Sequence, residues 1–328
     1  MAQSKPPQLI FGTAAFGSEA SPIQDGGAAA EVLRALKAHG VHRLDSGARY
    51  PPLQPGRAEQ IIGETGDVGL KFDVDTKVYT DTRNDGSGDL TLEKINESCS
   101  ASLKRLQTGK INVLHVHRAD PATPLEEQIQ GFKAQIDQGR CRAWGISNMS
   151  PEVLEKVLHL CEENNWPKPV CYQGQYNLIT RGVETRLLPL LRAHGIAFNG
   201  YGPLAAGFLT GNLLANNTAG TRFDSSTKIG PIITKIYSQE DLFKAMARFQ
   251  EALKKHDMTP NEVAIRWVAH HSMLSNEHGD GIIMGASRTE QAVQTMEYLE
   301  KGPIAEQDVL QLIEELWEGV KVVRGDML

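Results

Sequence analysis

Residues 92–147 divide by eye into LEKINESCSASLKRL (92–106), QTGK (107–110), INVLHVH (111–117), RADPAT (118–123), PLEEQIQGFKAQIDQ (124–138), G (139) and RCRAWGIS (140–147). The first and fifth blocks place apolar residues at helical spacing, and the third and last are short apolar runs of strand length. Helix, strand, helix and strand follow one another with short connections, the pattern of parallel strands joined by crossover helices. Working outward, Ala28–His39 reads as a helix, Val41–Asp45 as a short strand and Leu70–Val78 as a strand. Downstream, Pro151–Asn164 and the region near Thr185–His194 read as helices, and Val170–Gln173 and Ile196–Tyr201 as strands. Leu9–Thr13 reads as a short N-terminal hairpin, so six strand units are counted up to Tyr201. The Gly-, Asn- and Thr-rich stretch 205–233 follows this sixth strand as a long loop, and its length points to function rather than connection. Helices at Gln239–His256 and Pro260–His271, a seventh strand at Ile282–Gly285 and a very short eighth at Gly302–Ala305 continue the pattern. Helices over Thr289–Leu299 and Gln307–Glu318 complete it.

Strands without period-two polarity are buried on both faces, as in a (β/α)₈ barrel or a doubly wound open sheet. The barrel is preferred because polar residues recur at the carboxyl ends of successive strands, where barrel loops converge. The expectation is an α/β fold with one barrel domain over 1–328. A length of 328 residues and a hydrophobic fraction of 40% suit that size. The opening Met-Ala-Gln-Ser-Lys-Pro-Pro has no apolar signal core, and no later run reaches the roughly 20 apolar residues of a membrane span. A cytoplasmic protein without membrane partners is expected. Cys99, Cys141, Cys161 and Cys171 include no Cys-x-x-Cys pair, so reduced thiols are expected rather than a zinc or disulfide framework. A formal charge of -6 disfavours a nonspecific hold on nucleic acid.

Four residues carry the chemistry: Asp45, Tyr50, Lys77 and His117, each at or just beyond the end of an apolar strand. Tyrosine near its ordinary pKa is a poor acid at neutral pH, but a lysine ammonium beside it would stabilise the phenolate and lower that pKa. Asp45 would keep Lys77 charged and oriented. His117 would either hydrogen-bond a substrate oxygen or share the proton with Tyr50. Such a site donates a proton to a carbonyl oxygen as hydride reaches its carbon, and needs no metal.

The chain resembles the aldo-keto reductase superfamily, above all its aflatoxin-aldehyde-reductase-like and potassium-channel-β-subunit-like branches. The resemblance rests on Phe11-Gly12-Thr13, Leu44-Asp45-Ser46-Gly47-Ala48-Arg49-Tyr50, Thr76-Lys77-Val78 and Val113-Leu114-His115-Val116-His117-Arg118-Ala119-Asp120. It continues through Gly145-Ile146-Ser147-Asn148, Tyr172-Gln173-Gly174-Gln175-Tyr176-Asn177 and Tyr201-Gly202-Pro203-Leu204-Ala205-Ala206-Gly207. It implies a (β/α)₈ barrel, NADPH as hydride donor and Tyr50 as general acid partnered by Asp45, Lys77 and His117. It implies that Ser147, Asn148 and Gln173 hold the nicotinamide carboxamide, that Tyr201 stacks on its ring and that Thr13 approaches its ribose. Gly207, Leu209 and Gly211, in the cofactor-covering stretch 205–233, are matched to the diphosphate. Ser287, Arg288 and Gln291 are matched to the adenosine phosphate. The pattern assigns His117 rather than His115 to the catalytic group and leaves His115 a structural or peripheral role.

Arg49, Arg118 and Arg222 are the candidate substrate contacts, with Arg118 expected to pair with a substrate carboxylate or phenolate if it enters the cleft. Two functions follow. The favoured one is an NADPH-dependent carbonyl reductase acting on a small-molecule aldehyde or ketone, as a monomer or homodimer. The alternative is an NADPH-binding redox-sensing subunit in which cofactor occupancy matters more than turnover.

Overall fold

The computed structural model describes residues 6–324. Eight parallel strands close on themselves in chain order. They are β1 (Gln8–Gly12), β2 (Arg43–Asp45), β3 (Asp73–Lys77), β4 (Ile111–His115), β5 (Cys141–Ser147), β6 (Cys171–Gln175), β7 (Ala197–Tyr201) and β8 (Gly281–Gly285). Helices α1 (Gly26–Ala38), α2 (Arg57–Glu64), α3 (Leu92–Leu106), α4 (Leu125–Asp137), α5 (Pro151–Glu163) and α6 (Leu187–Ala193) follow the first six strands. After β7 come α7 (Gly230–Tyr237), α8 (Glu240–Leu253) and α9 (Pro260–His270), and after β8 come α10 (Thr289–Glu300) and α11 (Gln307–Arg324). No helix among the described residues is long and apolar enough to cross a membrane. Residues 1–5, most of the segment expected to lack a signal core, lie outside the described residues.

Two of the sequence expectations are corrected. Leu9–Thr13 does not form a hairpin: the backbone of β1 is shared between β2 on one side and β8 on the other, both parallel, and this pairing closes the barrel. Gly302–Ala305 is not a strand, and Ile282–Gly285 belongs to the eighth strand rather than the seventh. The backbone of 302–304 is satisfied by side chains instead, since Arg266 donates to the carbonyls of Gly302 (2.9 Å) and Pro303 (2.8 Å) and the Ile304 N–H donates to His271 Nε2 (2.8 Å). With β1 counted, the long segment follows β7. It is also less irregular than a loop, holding a 3₁₀ turn at Ala205–Thr210 and ending in α7.

Local signals fix the helices. Thr91 caps α3 by accepting from the Lys94 N–H, and Ser150 caps α5 by accepting from the Val153 N–H, with Pro151 opening that helix. The helical layer packs on the strands through interlocking aromatics, of which the Phe132 and Trp144 rings stack 5.2 Å apart. All four cysteines are free and buried. Burial pushes the Cys141 and Cys171 thiols up to about 12, so they stay protonated and unreactive at neutral pH.

The strands also carry charge inward. Arg43 Nε donates to Asp75 Oδ2 at 2.8 Å and Asn112 Nδ2 to Asp75 Oδ1 at 2.7 Å, with Asp75 wholly buried. Burial raises the Asp75 pKa to about 6, against the opposing pull of Arg43 and Asn112. A carboxyl whose folded pKa lies above its unfolded value favours the folded state at low pH, and that advantage is lost as pH rises through about 6. Wild-type stability relative to Asp75→Asn is therefore expected to fall by about 2 kcal/mol between pH 4 and pH 6.5, at 1.36 kcal/mol per pKa unit. Urea unfolding of both proteins at the two pH values checks this; a constant gap contradicts it.

Candidate active site

The strand ends bring the sequence-derived cluster together. Asp45 and Lys77 are the last residues of β2 and β3, and Lys77 Nζ lies 2.7 Å from both Asp45 carboxylate oxygens and 2.7 Å from the Ser46 carbonyl. Three acceptors meet the three N–H bonds of one ammonium that is only 2% exposed. Burial alone would lower the Lys77 pKa, but Asp45 and then Tyr50 outweigh it and hold the ammonium above its ordinary range. Tyr50, on the turn after β2, presents its ring 4.9 Å (centroid) from Lys77 Nζ and edge-on to the His117 ring at 5.6 Å. Gly47 seats that ring, since a Cβ there would lie 3.2 Å from Tyr50 Cε2.

One electrostatic expectation reverses. Lys77 does favour the phenolate, but burial is the larger influence and the Tyr50 pKa is raised, not lowered. Tyr50 thus stays protonated at neutral pH, the form that donates, while the ammonium beside it stabilises the anion left behind. Burial, then Lys77, Arg49 and Arg118, drive His117 down to about 3. Its imidazole is neutral and its Nδ1 is buried without a partner. A neutral ring offers a hydrogen bond rather than an imidazolium proton.

Next to this group, Gln173 on β6 donates through Nε2 to Asp45 Oδ1 (2.8 Å) and approaches His115 Nε2 (3.3 Å). No described residue bonds its Oε1. Asn148, just beyond β5 and in the left-handed region at φ 52°, donates from Nδ2 to the His117 carbonyl (2.9 Å) and accepts at Oδ1 from the Tyr201 hydroxyl (3.2 Å). Ser147 is buried in register with Gln173. The free amide oxygen of Gln173 and the Asn148–Tyr201 pair match the donor and acceptor chemistry of a nicotinamide carboxamide. At the β8–α10 turn, the Ser287 N–H and hydroxyl both donate to Gln291 Oε1 at 3.0 Å, and exposed Arg288 reaches toward Gly220 of the covering segment. The first turn of α10 has no side-chain cap, so its N–H groups lack a side-chain acceptor.

Other expected contacts are placed differently. Thr13 is fully buried and donates through both backbone and hydroxyl to the Asp45 carbonyl, at 2.8 and 3.0 Å, so it braces β1 against β2 rather than facing a ribose. Leu209 is in the core, and the N–H groups of Gly207 and Leu209 both bond the Leu204 carbonyl while that of Gly211 bonds Phe208. None of these three amides is free for a diphosphate. Arg118 does not enter the cleft as an anion clamp: it donates to Thr80 Oγ1 (2.7 Å) and to the carbonyls of Asp81 (2.5 Å) and Asn84 (2.9 Å), pinning the loop after β3. Arg49 bonds Thr82 and leaves its Nε buried without a partner beside Tyr50. Arg222 is solvent-accessible at the mouth and its charge acts on Tyr50 and Tyr237. Phe223 anchors it, edge-on to Tyr237 at 6.0 Å. Among the described residues no group of His, Cys, Asp or Glu is arranged to hold a metal.

Sequence reading left His115 a structural or peripheral role and did not single out Tyr237, which is buried beneath the mouth. The His-x-His spacing of β4 was the signal for the first, because residues two apart share a strand face. Nothing local marked Tyr237, whose place depends on how the covering segment folds.

Similarity to known proteins bears on this geometry. The sequence model described as the aldo/keto reductase family matches residues 8–318. Aflatoxin B1 aldehyde reductase member 2 of Rattus norvegicus is 32% identical over 323 residues, 96% of this chain and 85% of that protein. Oxidoreductase sirO of Leptosphaeria maculans is 33% identical over 325 residues, 96% of this chain and 95% of its own. An aldo-keto reductase of Pseudocercospora fijiensis is 35% identical over 233 residues, 70% of this chain and 78% of the relative.

The neutral state of His117 gives a direct check. With a pKa driven to about 3, its ring resonances in NMR spectra are expected to stay constant from about pH 5 to 8, where an unperturbed histidine titrates near 6.5. A His117 midpoint near 6.5 contradicts the neutral assignment.

Proposed function

The chain belongs to the aldo/keto reductase family and is an NADP(H)-dependent oxidoreductase of that family, and on this premise we propose how its own residues carry out carbonyl reduction. The observation that carries the proposal is the buried Asp45–Lys77 pair against the Tyr50 ring at the barrel mouth. When bound, NADPH supplies hydride to a carbonyl carbon. Tyr50 then delivers its phenolic proton to the carbonyl oxygen, and Lys77 stabilises the phenolate that remains. Asp45 keeps Lys77 charged and in place. Neutral His117 hydrogen-bonds the carbonyl oxygen and orients it toward Tyr50.

Gln173, Asn148 and Ser147 are proposed to hold the carboxamide of the cofactor and Tyr201 to stack on its ring. Ser287, Arg288 and Gln291 are proposed to receive its adenosine phosphate. In one barrel domain, residues 205–233 cover the cofactor, with Gly207 and Gly211 shaping the bend through left-handed backbone at φ 99° and 79°. Arg222 and Arg49 are proposed to face the substrate, an aldehyde or ketone of low molecular mass.

Steady-state NADPH oxidation with a panel of carbonyl compounds tests the reading. Saturable turnover supports it, and tight NADPH binding without turnover would replace it with a regulatory, cofactor-sensing role. Within that assay Tyr50→Phe keeps the ring and its packing but removes the proton. It is expected to lower kcat by roughly 10²–10⁴-fold with little loss of NADPH affinity. Wild-type turnover in the variant would remove Tyr50 from the acid role.

A further inference from the structure

His115 is the last residue of β4, is 0% exposed and stands between Lys77 of β3 and Gly145 of β5 in the barrel register. The reading above gives it no part. Its Nε2 lies 3.3 Å from Gln173 Nε2, the same nitrogen that donates to Asp45 Oδ1 at 2.8 Å. This nitrogen is the donor end of the amide, because an oxygen there would face the Asp45 carboxylate, itself held ionised by the Lys77 ammonium. One amide hydrogen therefore points to Asp45 and the other to His115.

The imidazole has to be neutral, with its one proton on Nδ1, to accept that hydrogen at Nε2, and its surroundings enforce the neutral state. Burial first, then Lys77, Arg43 and His117, hold its pKa well below the ordinary value. The Cys171 thiol, 4.0 Å from the same Nε2, is kept protonated by its own burial. The sequence also makes room for the ring. A Cβ on Gly145 would lie 2.5 Å from His115 Nδ1 and 2.6 Å from Cε1, so the space the imidazole fills exists because position 145 is glycine.

We propose that His115, seated over Gly145, is a positioning residue that accepts the second amide hydrogen of Gln173 and so fixes Gln173 to present only its Oε1 to the nicotinamide carboxamide. This rests on the cofactor reading given above and refines it. With both hydrogens drawn inward, Gln173 is an acceptor toward the ligand, and the carboxamide must meet it with N–H. An amide freed from His115 is held at one hydrogen only and can tilt about the Asp45 bond. The effect is local to the nicotinamide half of the cofactor. The adenosine half, proposed to lie at the β8–α10 turn, is untouched.

Calorimetric titration separates the two halves by comparing NADP⁺ with 2′-phospho-ADP-ribose, which lacks nicotinamide. His115→Met removes the acceptor while filling similar volume, and is expected to weaken NADP⁺ about tenfold, the scale of one hydrogen bond, with 2′-phospho-ADP-ribose unchanged. His115→Gln restores an acceptor near the Nε2 position and is expected to recover most of the loss. Gly145→Ala displaces the imidazole without removing it, so it keeps the question answerable if His115→Met fails to fold, and is expected to show the same selective weakening. Unchanged NADP⁺ affinity in the folded variants, or an equal loss for both ligands, overturns the assignment and leaves the cofactor reading standing. Wild-type protein that binds neither ligand overturns both.

Discussion

A lysine ammonium enclosed to 2% exposure inside a barrel is tenable only with its charge answered, because desolvating it alone costs several kcal/mol. Asp45 answers it with both carboxylate oxygens at 2.7 Å, and the Ser46 carbonyl takes the third N–H at the same distance. The two side chains end adjacent parallel strands, so the pair forms only if β2 and β3 are in the observed register. From it the rest of the mouth is arranged. Tyr50 lies over the cation, Gln173 is tied to Asp45, and His115 and His117 are kept neutral in part by the same positive charge.

This arrangement explains how a tyrosine with a raised pKa serves as an acid. A phenol already ionised at neutral pH has no proton to give, and burial prevents that. The Lys77 charge is felt most when negative charge develops on the phenol oxygen, which is the differential stabilisation a proton-transfer step requires. Asp45 and Ser46 hold the Lys77 ammonium beside the Tyr50 ring, where its charge favours the phenolate against burial. The Asp45 geometry thereby fixes where the Lys77 charge sits relative to the phenol.

Much of this was legible in the sequence, for physical reasons. Strand-length apolar runs ending in Asp45, Lys77, His117, Ser147 and Tyr201 report both the fold and the face on which its polar groups collect. Helices α3, α4 and α5 were marked by apolar spacing, and α3 and α5 also carry side-chain caps, whereas α2 was missed because RAEQIIGE is too short to display a period. The first strand was misread because a single short apolar run does not reveal its partners, and β1 owes its identity to β2 and β8. Arg118 and Thr13 were misjudged for a related reason. Sequence position places them beside the mouth, but their direction is set by hydrogen bonds to Thr80, Asp81 and Asn84 and to Asp45, which only the folded chain displays. The sign of the Tyr50 shift was likewise unreadable, since it depends on a balance between burial and a neighbouring charge.

The central claim is that the Lys77 charge, held by Asp45, favours the Tyr50 phenolate against the burial that raises its pKa. Ultraviolet titration of phenolate absorbance in wild type and Lys77→Met, each corrected by subtracting its Tyr50→Phe counterpart, isolates the one phenol among the 7 tyrosines of the chain. The account predicts that Tyr50 ionises at distinctly higher pH once Lys77 is gone, because burial then acts without opposition. An unchanged Tyr50 midpoint in a folded Lys77→Met protein would contradict it.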